Sequence, residues 1–288
     1  MKLVRFGVPG AEKPGLVDAQ GGVRDLSAHI KDITGEALSP ASLAKLRAID
    51  PKSLPAAPPG VRLGAPVGDV RNFIAVGLNY EDHARETGAD IPKEPILFNK
   101  LANCIVGPND AVMVPKGSTK LDYEVEIAFV IGTRARYVDE KNALSHIAGY
   151  CICNDISERN FQAERGGQWT KGKGSPTFGP LGPWLVTKDE IANVQKLDMW
   201  LDVNGEKRQR GNTKTMIFGI QHVVWYCSQF FQLDPGDVIT TGTPPGVALG
   251  MKPNPVWLKA GDVVTLGIAG LGEQRQRIVP FKGRRMAA

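Results

Sequence analysis

Residues 121–132 read LDYEVEIAFVIG. Successive side chains of a strand alternate across a sheet. One face therefore receives Asp122, Glu124 and Glu126, and the other receives Tyr123, Val125 and Ile127. Acidic residues are poor strand formers, and neighbouring carboxylates repel one another. Three in one row of an otherwise apolar strand mark either a solvated sheet edge or a place where a cation is held.

Around this stretch, short apolar runs alternate with turns: NFIAVG, PILFNK, AGYCICND, LDMWLDVNG, DVITTG and DVVTLGI. Helical patterns are fewer. SLAKLRAI is one. NYEDHARETG has Asn79 as its N-cap candidate and Gly88 as its stop, and SERNFQAER follows the strand that ends at Asp155. In TMIFGIQHVVWYCSQFF, the residues Ile217, Ile220, Val224, Cys227 and Phe231 recur at the 3,4 spacing of a buried helix face. Regular βαβ alternation is missing. The expected class is mainly β with few helices (α+β), not a doubly wound sheet. The proline- and glycine-rich PKSLPAAPPGVRLGAP reads as a connector between a small N-terminal domain, 1–70, and a second unit, 71–288.

With 288 residues, 42% hydrophobic and 23% charged, the chain has ordinary globular composition and can bury a sizeable core. Its formal charge is only +5 despite a pI near 9.0. The denser basic runs, Lys207–Arg210 and Lys282–Arg285, lack interleaved aromatics and read as solvated loops, so no nucleic-acid partner is expected. Cys104, Cys151, Cys153 and Cys227 fit no zinc spacing and read as buried reduced thiols. MKLVRFGVPG has no apolar signal core, and no run of about 18 apolar residues occurs. No membrane partner and a cytoplasmic location are therefore expected.

Several groups could carry chemistry. Glu124 and Glu126, with Asp155 at a strand end, offer hard oxygen ligands suited to Mg²⁺, Mn²⁺ or Ca²⁺. His83 and Glu86 lie three apart on the NYEDHARETG helix, where a carboxylate can orient an imidazole as a general base; a surface pair looks identical. In GGQWTKGKGSPTFGP, Lys171 and Lys173 sit among glycines, as in a flexible loop that brings an ammonium to a ligand or as in a solvated basic loop. TTGTPPGV, 240–247, ends a strand in a rigid turn whose hydroxyls and N–H groups could hold a carboxylate.

Taken in order, GLNYEDHARETG, PILFNK, DYEVEIAFVIG, NDISERNFQ, GGQWTKGKG, MWLDVNGEKRQ, TMIF and TTGTPPGVA resemble the marks of the fumarylacetoacetate hydrolase superfamily over roughly 71–280. The resemblance implies a mixed β-sandwich roll, a homodimer and a variable N-terminal domain. It implies Glu124, Glu126 and Asp155 as metal ligands, His83 and Glu86 as the water-activating pair, and Lys173 of W-x-x-x-K as a catalytic and substrate-binding lysine. Arg159, Gln162 and Thr243 stand at substrate-facing positions, and Asp122 at a position with no ligand role. Within the superfamily the sequence is most similar to hydrolases of acylpyruvates and 2,4-diketo-3-deoxy sugar acids.

The implied activity is metal-dependent cleavage of a C–C bond in a small anionic 2-oxo acid, the 2,4-dioxo type, giving pyruvate and a second acid. Ureidoglycolate cleavage, oxaloacetate decarboxylation or tautomerisation would use similar groups. A non-catalytic metal-binding module would not need His83, Glu86 and Lys173 together.

Overall fold

The computed structural model describes residues 1–282. A ten-stranded mixed sheet runs in the order Val23–Asp25, Lys13–Val17, Lys2–Phe6, Gly179–Thr187, Ile147–Asn154, Val125–Ile131, Val238–Thr240, Phe73–Gly77 and Ile96–Lys100, with Ile105–Val106 paired beside Gly179–Thr187. A five-stranded sheet, Glu206–Asn212, Asp198–Val203, Val263–Ile268, Gly272–Val279 and Val112–Met113, packs against its centre. The result is the expected β-rich α+β architecture.

All seven residues of Val125–Ile131 are buried; the strand has neighbours on both edges and the five-stranded sheet against one face. That excludes a solvated edge for the acids. Ile127, Phe129, Leu181, Leu201 and Leu266 belong to the shared core, where burial of each large apolar side chain contributes roughly 1.5–3 kcal/mol. Gln274 and Gln276 cross between the sheets: Gln274 Nε2 donates to Ile152 O at 2.8 Å, and Asn154 Nδ2 donates to Gln276 Oε1 at 3.0 Å. Buried polar groups of this kind fix register because slipping would leave them unpaired.

The first 70 residues extend the large sheet through the pairs Lys2↔Val186 and Leu3↔Leu185.

Local differences from the sequence reading have physical causes. The stretch 121–132 is two strands. Leu121–Asp122 pairs with Ser157–Glu158, and Val125–Ile131 pairs with Ile147–Asn154 and Val238–Thr240. Between them side chains replace the ladder: Asn154 Oδ1 accepts from Glu124 N at 3.1 Å and Gln209 Oε1 accepts from Val125 N at 2.9 Å. The helix Glu81–Thr87 starts after Tyr80, not at an Asn79 cap. Asn79 is fully buried and instead binds the backbone of Phe218 and Thr241. The helix does end at Gly88, in the left-handed conformation.

The long helix is Ile220–Phe230, so Ile217 and Phe231 fall outside it. Residues 207–210 form part of the edge strand Glu206–Asn212 rather than a loop. Of the run 282–285, all but Lys282 lies outside the described residues. The four cysteines are buried free thiols. Among the described residues no helix is long and apolar enough to cross a membrane.

Candidate active site

Glu126 projects from the central strand, Glu124 from the break before it, and Asp155 from the end of Ile147–Asn154. Asp155 N donates to Glu124 O at 2.9 Å, which ties the two backbones together. Ligand atoms of the three carboxylates all lie within 4.8 Å of one another, and all three residues are buried. Like charges packed this closely in a low-dielectric interior are costly unless cations answer them.

The cations present answer two of the three. Lys173 Nζ donates to Glu124 Oε2 at 2.6 Å and to Asp155 Oδ2 at 2.9 Å. Arg159 Nη2 reaches Glu124 Oε1 at 2.5 Å, and Lys100 Nζ reaches Asp155 Oδ1 at 2.5 Å. Among the described residues, Glu126 receives only the Thr240 hydroxyl at 2.5 Å and the Gly242 N–H at 2.9 Å. Burial raises the Glu124 carboxyl, but Lys173 and Arg159 outweigh it and hold the group at about 2. Burial and then the charges of Asp155 and Glu124 push Glu126 well above the ordinary carboxyl range.

A carboxylate without a cation partner, beside two more oxygen donors, fits a hard divalent ion. Glu124, Glu126 and Asp155 would hold it.

Asp122 has a different part. It accepts from Arg159 Nε at 2.8 Å and from Ala248 N and Leu249 N at 2.8 and 3.1 Å. It braces the arginine and a neighbouring turn. Arg159 Nη1 also donates to Gln162 Oε1 at 3.0 Å. With both carboxylates and the amide engaged, Arg159 is held in one orientation and its charged form is favoured.

His83 Nδ1 lies 3.2 Å from Glu86 Oε2, and Glu86 Oε1 accepts from Gly246 N at 2.9 Å. An ionised Glu86 places the ring proton on Nδ1 and leaves Nε2 as the acceptor.

A cleft of about 490 Å³ is lined by His83, Glu124, Glu126, Asp155, Arg159, Gln162, Lys173 and Thr243. Glu86 stands behind His83. A larger cleft of about 860 Å³, against Arg5, Asp32 and Lys45, contains none of these groups; size alone does not mark the site. Thr243 is anchored through its hydroxyl, which donates to Val125 O at 2.9 Å and accepts from Gln209 Nε2 at 2.8 Å.

The glycine-rich segment is not a flexible loop where it matters. Thr170–Lys173 is a helical turn with Lys173 buried. Lys171 is exposed and donates to Arg165 O, so it is Lys173 that faces the carboxylates. Sequence reasoning missed Lys100, which is buried and also donates to Lys173 O at 2.6 Å. A lysine closing the apolar strand PILFNK was the available signal.

Residues 72–279 match the family described as fumarylacetoacetate (FAA) hydrolase, C-terminal. A relative from Burkholderia cenocepacia, provisionally designated a hydrolase, is 58% identical over 96% of this chain and 98% of its own. A Mycobacterium abscessus structure titled as a probable 2-hydroxyhepta-2,4-diene-1,7-dioate isomerase is 34% identical, with a TM-score of 0.83 over 98% of this chain and 100% of that one. Maleylpyruvate hydrolase from Sphingobium sp. SYK-6, solved with manganese(II) and pyruvate, is 26% identical, with a TM-score of 0.81 over the same shares of the two chains. A β-rich sandwich carrying a buried carboxylate trio, an extended family match and relatives aligned almost end to end converge: this chain belongs to the fumarylacetoacetate hydrolase family of hydrolases and isomerases.

Proposed function

We propose that the protein is a metal-dependent hydrolase that cleaves the C3–C4 bond of a 2,4-dioxo acid, an acylpyruvate or a 2,4-diketo-3-deoxy sugar acid, to pyruvate and a second acid. The observation that carries this reading is the His83–Glu86 pair with His83 lining the same cleft as the carboxylate trio. A bare metal site needs no imidazole held in one tautomer, whereas activation of water does. The manganese and pyruvate in the maleylpyruvate hydrolase structure agree with it.

A divalent cation, Mg²⁺ with Mn²⁺ or Ca²⁺ as substitutes, would polarise substrate oxygens and offset the charge of the floor. The chain's own residues do the rest. Arg159 and Lys173 give an anionic substrate a positive border on the carboxylate floor. His83 Nε2 takes a proton from the water that attacks the C4 carbonyl, while Glu86 holds Nδ1–H and stabilises the imidazolium that forms. As the C3–C4 bond breaks, the electron pair moves to the pyruvate fragment as an enolate, and the Lys173 ammonium meets the developing negative charge. The protonated imidazole then gives that proton to C3 of the enolate, which completes pyruvate.

Glu86→Gln and His83→Ala are expected to lose about 10²–10⁴-fold in kcat while retaining Mn²⁺ and oxalate binding, read by calorimetry. Full activity in either variant would remove the proposed base. Isomerisation is the second reading, because of the 34%-identical isomerase structure. A Mg²⁺-dependent panel of acylpyruvates, 2,4-diketo-3-deoxy sugar acids, oxaloacetate and ureidoglycolate, with pyruvate detection, separates them: consumption of a dioxo acid without pyruvate release would favour isomerisation. The proposal includes a cytoplasmic homodimer. A particle at the mass of the single 31.1 kDa chain in light scattering would remove the dimer without touching the chemistry.

A further inference from the structure

The segment from Gly246 to Gly250 reaches both halves of the cleft without supplying a reacting group. Gly246 N–H donates to Glu86 Oε1 at 2.9 Å. Gly246 has φ +104°, and a Cβ there would lie 2.2 Å from Arg208 O, so the position requires glycine. Next, Ala248 N and Leu249 N donate to the two oxygens of Asp122. Asp122 in turn holds Arg159, whose far nitrogen reaches Glu124. Gly250 then packs against Glu86: a Cβ there would lie 2.4 Å from its carboxyl carbon and 2.6 and 2.7 Å from the two oxygens. Just beyond, Lys252 Nζ donates to Thr87 O, at the end of the helix that carries His83.

We propose that the 246–250 turn registers the His83–Glu86 pair against the carboxylate floor, with Gly250 and Asp122 as positioning residues. The inference rests on the reading of His83–Glu86 as the proton-transfer pair. Among the described residues each Glu86 oxygen has one partner, His83 on one side and the turn on the other, so the carboxylate plane sets the imidazole's orientation. Asp122 fixes the same turn to the arginine that braces Glu124. One short segment thereby sets the spacing between the group that moves a proton and the groups that bind charge. Proton transfer is sensitive to that spacing, since a misplacement of about 1 Å can cost roughly 10²-fold in rate.

Gly250 gives the clean test. The atoms a methyl group would strike are the far end of a flexible side chain, so Gly250→Ala moves Glu86 and leaves the turn's backbone in place. Gly250→Ala is expected to lower kcat about 10–100-fold, with KM, Mn²⁺ affinity and thermal midpoint unchanged. Gly250→Ala combined with Glu86→Asp, whose shorter side chain leaves room for the methyl group, is expected to lose clearly less than the product of the two single losses. Unchanged kcat in Gly250→Ala overturns the inference, as does a kcat loss matched by lost Mn²⁺ affinity or a lowered thermal midpoint. If Glu86→Gln is fully active, the reading of the pair itself fails. If Glu86→Gln is inactive while Gly250→Ala is fully active, only the positioning role fails.

Discussion

The carboxylate floor and the His83–Glu86 pair, through His83, meet at one cleft and are held in opposite ways. The floor stands on the central strands, where Glu124, Glu126 and Asp155 are each at most 5% exposed and where Lys100, Lys173 and Arg159 hold two of the three from several directions. The pair stands on a seven-residue helix, Glu81–Thr87, too short to be stable by itself. It depends on a turn and on tertiary contacts. Charge is bound where the fold is most heavily cross-paired, and a proton is moved where a small displacement can align or misalign the accepting nitrogen. The division predicts different consequences for variants in the two regions.

The largest effect is expected at Glu126. Glu126→Gln keeps the side chain's size but removes the one carboxylate of the trio that has no ion pair among the described residues. Loss of a charged ligand worth several kcal/mol corresponds to about 10³-fold or more in activity, with a parallel loss of Mn²⁺ affinity. Glu86→Gln should match it in kcat only. If both variants lose metal, or neither does, the two regions are not separable.

Lys100→Met comes next. It leaves Asp155 with Lys173 as its only cation among the described residues. Removing one partner of a buried pair costs roughly 3–5 kcal/mol, read as a lowered midpoint in urea unfolding, with Mg²⁺ restoring part of the loss. The comparison is Arg85→Ala, which breaks an exposed pair with Glu81 and should cost less than about 1 kcal/mol. Equal losses in the two variants would show that burial does not set the value of these pairs.

Metal removal is smaller and depends on pH. Burial, Asp155 and Glu124 raise the Glu126 carboxyl. A raised carboxyl favours the folded state below its ordinary range, and that contribution is lost as pH rises through the raised value. Glu124, held at about 2, contributes above the ordinary carboxyl range and loses that contribution only as pH falls toward 2. As pH rises above the ordinary carboxyl range, the metal-free protein should therefore lose stability through Glu126. Metal at a hundred times the Kd measured at the acid end should add about 2.7 kcal/mol there, and at that same fixed concentration the gap in thermal midpoint between the two forms should widen as pH rises and the affinity increases. A constant gap would mean that Glu126 is already ionised without metal.

How much of this was legible in the sequence follows the same division. The E-x-E alternation and the strand-end Asp155 carry a local period, and His83 with Glu86 carries a helical one, so both were readable from spacing. Lys100 was not: its partners lie 55 and 73 residues away, and a lysine closing a strand looks the same whether it points to solvent or into a core. The break at Tyr123–Glu124 was hidden for the same reason, since the acceptors that replace the ladder are Asn154 and Gln209 on other strands. Spacing alone leaves Lys173 either on a flexible loop reaching a ligand or on a solvated basic loop because glycines dominate its surroundings, yet Gly172 packs so closely on Gln162 and Glu158 that a Cβ would lie 2.5–2.7 Å from their atoms. Local patterns reveal elements, whereas burial of a charge is decided by chain segments far away.

The smallest effect concerns the arm of the substrate beyond C4. Away from its charged floor the cleft is lined by Phe98, Trp169, Leu249, Pro255 and Trp257. The oxygens of its neutral polar side chains are engaged: Gln162 Oε1 accepts from Arg159, the Thr243 hydroxyl is bonded to Val125 O and Gln209, and the Thr87 hydroxyl donates to His83 O. A hydroxyl on the arm would give up water for apolar carbon, a cost of about 1–3 kcal/mol when it finds no partner. An apolar pocket rejects an added hydroxyl by no more than roughly 10²-fold, and the open side of this cleft, where Leu249 is 40% exposed, softens the penalty further. A 2,4-dioxo acid with an unhydroxylated arm should therefore exceed its 5-hydroxy counterpart by about tenfold in kcat/KM, and Leu249→Asn should narrow the ratio while leaving inhibition by oxalate, which has no arm, unchanged. A preference for the hydroxylated arm would instead shift the specificity to Lys120, Glu164 and Lys252, the charged side chains on the same cleft. The apolar wall would then serve packing, and discrimination would lie with the residues that keep water at the mouth.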